Sequence, residues 1–318
     1  MKLLIWYTGL ADDLIQQIRE VAATGQVEVV TATGEEEAVQ MVTGVEILFG
    51  RSSRKVVQCG EQLRWIQPFS AGMDGWIYPE TIERGIVITN AAGVFAIHVA
   101  EHAFALLLSL TRGISSFVRN QLEHTWGGRH GTRIVEVSGG TLGIIGLGGI
   151  GTAIAQRGKA FEMRVLAIDP VRTGKPPFVD ELWKPHHLDD FLGESDVVMI
   201  AAPHTAETDK LIGKKQFSMM KRTSYLVNIS RGKIVDQAAL IEALKAGWIA
   251  GAGLDVCEEE PLPPESELWE MENVVITPHA AGGSQRRHKR MVDFFCENLK
   301  RYLNGEPLLN VVDQKRGF

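Results

Sequence analysis

"GIIGLGGIG", residues 143–151, is an apolar run of strand length that breaks into a glycine-punctuated turn. Within it, Gly146-Leu147-Gly148-Gly149-Ile150-Gly151 has the spacing GxGxxG. The first glycine of such a turn permits a tight bend and the second lets backbone approach a pyrophosphate. The third lets the following helix pack close to the strand. That helix's N-terminus supplies amide donors and the positive end of its dipole. Alone the spacing is a weak signal, because glycine-rich turns are common.

Its surroundings strengthen it. "TLGIIG" (141–146) reads as a strand, "IGTAIAQRGKAF" as an amphipathic helix and "RVLAID" (164–169) as the next strand. That strand ends on Asp169, 18 positions past Gly151. A carboxylate there accepts hydrogen bonds from adenosine ribose hydroxyls and repels a 2′-phosphate, so the cofactor expected is NAD(H) rather than NADP. Arg172 and Lys175, close behind, weaken that preference. A turn or helix-cap carboxylate is the alternative reading of Asp169.

Outward from the turn, short β-branched runs alternate with helical patterns. "KLLIW" (2–6), "VEVVT" (27–31), "EILFG" (46–50) and "IVITN" (86–90) read as a first set of strands. One long helical segment follows at 94–117. The second set is the two strands above with "DVVMIAA" (196–202), "YLVNIS" (225–230), "GAGLD" (251–255) and "VVITP" (274–278). The class is α/β, with doubly wound parallel sheets. A last helix is expected to begin near Ser284 as N-cap.

At 318 residues the chain exceeds what one core serves efficiently, so two domains are expected. Net charge is −6, and "RRHKR" (286–290) reads as the solvated face of a helix, so nothing asks for nucleic acid. The apolar runs are too short to span a membrane. Cys59, Cys257 and Cys296 form no CxxC pair, which predicts neither disulfides nor a thiolate metal site and fits a reducing cytoplasm. "MKLLIWYTG" has no cleavage pattern after it.

Ligands of doubly wound sheets bind beyond the carboxyl ends of the strands. Arg231 follows "YLVNIS", Glu260 lies shortly after "GAGLD", and His279 follows "VVITP". An arginine holds a carboxylate in two parallel hydrogen bonds, and a histidine donates or accepts a proton near neutral pH. A carboxylate bonded to that histidine fixes its tautomer and stabilises its charged form. Singly, Arg231 reads as a surface ion-pair partner and Glu260, in "EEE" (258–260), as solvated. Together with a dinucleotide site they make what hydride transfer to a 2-keto acid requires. The other histidines, at 98, 102, 124, 130, 186, 187, 204 and 288, read mostly as surface or packing residues.

At this point the chain resembles the D-isomer-specific 2-hydroxyacid dehydrogenases over nearly its whole length. The matching stretches include "SAGMDG" (70–75), "VAEHAFALLLSLTR" (99–112), "AAPHTAETDKLI" (201–212), "LVNISRGKIVD" (226–236), "GLDVCEEEPLP" (253–263) and "ITPHAAG" (276–282). The resemblance implies a Rossmann-type cofactor domain, 96–284, inserted into a flavodoxin-like substrate domain made of 1–95 and 285–318, with the active site in a cleft. It puts Arg231, Glu260 and His279 in the roles above. Ala71 and Gly72 become backbone donors to a substrate carboxylate, with a plain turn as the alternative. Pro203 and Thr208 flank the adenosine, Asp255 reaches the nicotinamide carboxamide, and Gly282 joins the cofactor contacts. The helix at 94–117 implies a homodimer. An NADH-sensing binding protein with little turnover is the rival reading.

Some positions stay open in the sequence. Arg51 and Arg54, after "EILFG", either favour small acidic or hydroxylated substrates such as glyoxylate or hydroxypyruvate, or face solvent. His98 either borders the nicotinamide or packs, packing being preferred. Trp126 either covers the cleft from a neighbouring subunit or anchors a loop.

Overall fold

The structure is a computed structural model and describes residues 1–127 and 133–317; His130 lies outside the described residues. The chain forms two compact units, Met1–Phe95 with Ser284–Phe318, and Ala96–Gly283.

In the first unit β1 (Lys2–Trp6) leads through α1 (Asp12–Ala23) to β2 (Glu28–Ala32) and through α2 (Glu35–Met41) to β3 (Ile47–Gly50). Then come α3 (Arg54–Cys59), β4 (Trp65–Pro68), α4 (Pro79–Glu83) and β5 (Val87–Ile88). The sheet is parallel, in the order β2-β1-β3-β4-β5. Leu3 and Ile5 pack on one face and Leu4 and Trp6 on the other, so β1 is buried on both sides and reads as an unbroken apolar run. α1 buries Leu14, Ile18 and Ala22, one residue per turn of a single stripe.

The second unit opens with α5 (Ala96–Thr111) and α6 (Ile114–Leu122). It continues β6 (Thr141–Ile145), α7 (Gly149–Ala160), β7 (Arg164–Ile168), β8 (Glu181–Trp183), α8 (Leu188–Glu194) and β9 (Val197–Ile200). The rest is α9 (Lys214–Met219), β10 (Tyr225–Asn228), α10 (Gln237–Lys245), β11 (Gly251–Leu254) and β12 (Val274–Ile276). Its parallel sheet has the order β12-β11-β10-β9-β6-β7-β8.

The chain then returns to the first unit as α11 (Arg287–Leu303). Phe295 of this helix stacks on Phe49 of β3, ring centroids 3.9 Å apart, and lies 5.3 Å from the Trp65 ring of β4. Fully burying each such ring contributes about 1.5–3 kcal/mol. Asn298 donates to buried Gln67 (3.0 Å), which also accepts from Thr89 (3.1 Å).

Four sequence expectations need correction. Strand β4 was not anticipated, because Pro68 argues against a strand on pattern alone. The short edge strand β8 was likewise missed, its three residues being only half-buried. The helix expected at 94–117 is two helices, broken where Gly113 adopts a left-handed φ of 68°. The last helix begins with Arg286 as N-cap; Ser284 instead accepts the Arg286 N–H (3.2 Å) in the turn before it. Among the described residues no helix is long and apolar enough to cross a membrane.

Candidate active site

The glycine turn sits between β6 and β9, where the strand order reverses. That switch point is where doubly wound sheets bind ligands. Gly146 has φ 91°, and a Cβ on it would lie 2.6 Å from Cα of Ala202, just past β9. A Cβ on Gly151 would lie 2.0 Å from the Gly146 carbonyl oxygen. At Gly148 an added Cβ meets nothing within 4 Å, so packing requires glycine at 146 and 151 while Gly148 faces open space. The first intrahelical bond of α7 runs from Thr152 N–H to Gly148 O (2.9 Å), so the amides of Gly149, Ile150 and Gly151 have no acceptor within the helix. An open glycine before three amides that have no acceptor among the described residues fits a pyrophosphate.

Asp169 follows β7. Its Oδ2 accepts the Leu147 N–H (2.9 Å), and its Oδ1 accepts the amides of Val171 (2.9 Å) and Arg172 (2.7 Å). The carboxylate therefore ties the glycine turn to the loop behind β7. Oδ2 keeps one lone pair open. Arg172 folds back on the same turn, donating to Leu147 O (2.7 Å) and Thr152 Oγ1 (3.2 Å). Beyond β9, Thr208 Oγ1 donates to Pro203 O (2.7 Å) and accepts the Thr205 N–H (2.8 Å), closing the turn that carries both residues.

The ends of β10, β11 and β12 bring the three singled-out side chains onto one framework. Buried Asn228 closes β10, where its Nδ2 donates to Arg231 O (2.9 Å) and its Oδ1 accepts the Ser230 N–H (3.1 Å). This brace holds the backbone that presents Arg231, whose Nη1 donates to Ser230 O (2.8 Å). Next to it, a Cβ on Gly232 would lie 1.8 Å from the Cys257 carbonyl oxygen, so the loop after β11 passes directly over the one after β10. In that upper loop Glu260 Oε1 accepts the Cys257 N–H (3.1 Å), and Glu260 Oε2 accepts from His279 Nδ1 at 2.7 Å. Nδ1 being the donor, Nε2 is the ring atom left for chemistry. Burial, with Glu260 and Asp255 nearby, pushes the Cys257 thiol up to about 11, so it stays neutral and is no nucleophile.

His279 has a left-handed φ of 51°, uncommon for a residue with a Cβ. Asp255, 2% exposed, supports it. The His279 N–H donates to Asp255 O (2.8 Å), the Ala280 N–H to Oδ1 (2.8 Å) and the Ala281 N–H to Oδ2 (3.0 Å). Thr277 Oγ1 donates to Oδ1 at 2.6 Å, and His102 Nε2 lies 2.8 Å from that hydroxyl. Gly282 follows this turn and is half-buried. His102, Thr277 and Asn228 escaped the sequence reading of the site. The available signals were a histidine in the apolar run "HAFALLLSL" and an asparagine closing the apolar strand "YLVN".

In the first unit the order also reverses, between β1 and β3. Tyr7 and Arg51 follow those strands, with the Arg51 N–H on Trp6 O (2.7 Å) and its side chain exposed. Arg54 is committed elsewhere, its Nε bonding Glu80 at 2.9 and 3.1 Å. After β4, Asn90 donates to Ala71 O (3.1 Å) and Ser70 Oγ to Gly72 O (2.7 Å), which shapes a turn whose Ala71 and Gly72 amides have no acceptor among the described residues. "RRHKR" is less solvated than expected: His288 Nε2 meets Tyr7 OH at 3.0 Å, and burial lowers the His288 pKa, with Arg287 adding to it. His98 is buried and Trp126 fully exposed. Among the described residues no cluster could hold a metal ion.

Residues 104–281 match the family model described as D-isomer specific 2-hydroxyacid dehydrogenase, NAD binding domain. The chain is 42% identical over 275 residues to a glyoxylate reductase of Korarchaeum cryptofilum, covering 85% of this chain and 82% of that one. A D-isomer specific 2-hydroxyacid dehydrogenase from Lactobacillus delbrueckii, solved in its NAD complexed form, superposes with TM-score 0.80 at 26% identity, over 98% of this chain and all of that one. A homologue from Xanthobacter autotrophicus, solved with NADPH and MES, gives 0.81 at 27% identity over 99% of each. The open glycine turn and its unspent amides suit the cofactor these matches imply. The chain belongs to the D-isomer-specific 2-hydroxyacid dehydrogenases and is an NAD(H)-dependent enzyme of that class.

Proposed function

We propose that the protein reduces a small 2-keto acid to the D-2-hydroxy acid, with glyoxylate and hydroxypyruvate as the favoured substrates, and that His279, Glu260 and Arg231 carry the reaction. Bound NADH supplies the hydride that the carbonyl carbon accepts. Arg231 holds the substrate carboxylate with its planar fork and polarises the adjacent carbonyl. His279 Nε2 delivers a proton to the carbonyl oxygen as that oxygen gains charge. Glu260, accepting from Nδ1, stabilises the imidazolium before transfer. The reverse reaction runs the same proton back to Nε2. The observation that carries this reading is the 2.7 Å bond between Nδ1 and Glu260, because it commits one ring nitrogen and leaves the other for substrate.

The supporting assignments follow the same chemistry. The unit Ala96–Gly283 is the cofactor domain, and Met1–Phe95 with Ser284–Phe318 is the substrate domain. Gly146, Gly148, Gly149, Ile150 and Gly151 receive the pyrophosphate, Pro203 and Thr208 border the adenosine, and Gly282 borders the cofactor. Asp255 has one Oδ2 lone pair for the carboxamide. The Ala71 and Gly72 amides donate to the substrate carboxylate, and Arg51 attracts a polar far end. Ile114, Val118 and Leu122 recur every four residues on an exposed face of α6, which supports a homodimer. The site of action is the cytoplasm, in keeping with three free cysteines.

Two variants test the assignments. Arg231→Lys lowers kcat/KM for the keto acid about 10- to 100-fold, the loss of a charge-assisted bond of about 1.5–3 kcal/mol. Unchanged steady-state kinetics would remove Arg231 as the clamp. Asp169→Ala weakens NADH binding about tenfold and narrows the gap between NADH and NADPH, because the open Oδ2 lone pair serves the ribose. An unchanged NADH-to-NADPH ratio in titrations would confine Asp169 to its turn.

A further inference from the structure

We infer that His102 is a positioning residue for the acid–base histidine, acting through Thr277 and Asp255. The inference rests on the reading of His279 as the proton donor. α5 approaches β11 closely because Gly253 lacks a side chain: a Cβ there would lie 2.8 Å from Leu106 Cβ. His102 is one helical turn before Leu106 on the same face, at the level of Asp255. Its Nε2 lies 2.8 Å from Thr277 Oγ1 and 3.3 Å from Asp255 Oδ1.

The proton count settles the direction of these bonds. A threonine hydroxyl has one hydrogen, and Thr277 gives it to Asp255 at 2.6 Å. Toward His102 the hydroxyl oxygen therefore accepts, so His102 carries its proton on Nε2. Asp255 accepts two backbone amides and that hydroxyl. Among the described residues, His102 is the side chain within ion-pair distance of it.

The consequence reaches His279 from both sides. Thr277 precedes it, Ala280 and Ala281 follow it, and all three hang on the Asp255 carboxylate. Without the His102 donor, Thr277 loses a partner and Asp255 keeps a buried charge with less compensation. The turn that forces His279 into its left-handed conformation then loosens, and Nε2 no longer sits where the substrate oxygen needs it.

The test compares His102→Leu with His102→Gln, whose amide N–H spans a similar reach. At saturating NADH, His102→Leu lowers kcat for keto-acid reduction about 10- to 100-fold, raises the solvent deuterium isotope effect on kcat, and leaves KM within about threefold. His102→Gln recovers most of the rate. Wild-type kcat in the leucine variant, or equal impairment of both variants, overturns the inference. Should His102→Leu fail to fold, Thr277→Val, which removes the intermediate hydroxyl, must show the same kcat and isotope signature, and normal turnover there is equally decisive. His279→Asn, run alongside, separates the two readings. Full activity in that variant removes the acid itself, whereas a dead His279→Asn beside a normal His102→Leu removes the positioning role alone.

Discussion

His279→Ala lowers the rate of 2-keto acid reduction about 10²- to 10⁴-fold and leaves NADH binding close to that of the wild type. The magnitude is that of a positioned general acid. The split between rate and binding follows from the side chain, whose Nδ1 contact is Glu260 rather than the glycine turn. Alanine is itself strained at the left-handed φ of 51°. His279→Asn is therefore the cleaner partner variant, since asparagine tolerates that conformation better and still lacks an acid. Both variants should lose the rate together. Stopped-flow reduction at saturating NADH with fluorescence titration of NADH reads the two quantities separately. Near-normal turnover in both would take the acid away from His279.

Gly232→Ala damages the site by a different route. The added methyl would lie 1.8 Å from the Cys257 carbonyl oxygen and 2.4 Å from the Glu258 nitrogen, both backbone atoms. No side-chain rotation relieves that overlap, so one of the two loops must move. One presents Arg231 and the other Glu260, and relief therefore separates the clamp from the histidine's partner. Overpacking of this kind costs about 1–3 kcal/mol or more, which lowers the melting temperature by several degrees. Turnover should fall more than stability alone explains, because the surviving folded protein has a displaced Glu260. Gly174→Ala, where the new Cβ meets nothing within 4 Å, is the control and melts with the wild type. Melting curves and kcat that match the wild type would mean that the two loops do not pack as described.

Much of the fold was legible because buried parallel strands announce themselves as apolar runs. "KLLIW" and "YLVNIS" read correctly for that reason, and the glycine turn marked the start of α7. The misreadings have local physical causes. Pro68 concealed β4 although its neighbours Trp65 and Ile66 are core residues. Gly113, in a stretch otherwise helical, ends one helix and starts another. In the candidate site, Arg231, Glu260 and His279, the residues proposed to carry the reaction, are legible as polar residues at successive strand ends. His102 was not, because its meaning depends on Gly253 admitting α5, some 150 residues away in sequence. Arg54, which the sequence leaves open between substrate and solvent, pairs with Glu80.

The most direct test is NADH oxidation, followed by absorbance, against glyoxylate, hydroxypyruvate, pyruvate, phenylpyruvate and a bulky branched 2-keto acid. The expected result is turnover that is fastest with the smallest, most polar members, faster with NADH than with NADPH, and lost in His279→Asn. Tight NADH binding with no oxidation by any member of the panel would contradict it, and would leave a cofactor-binding protein whose histidine performs no proton transfer.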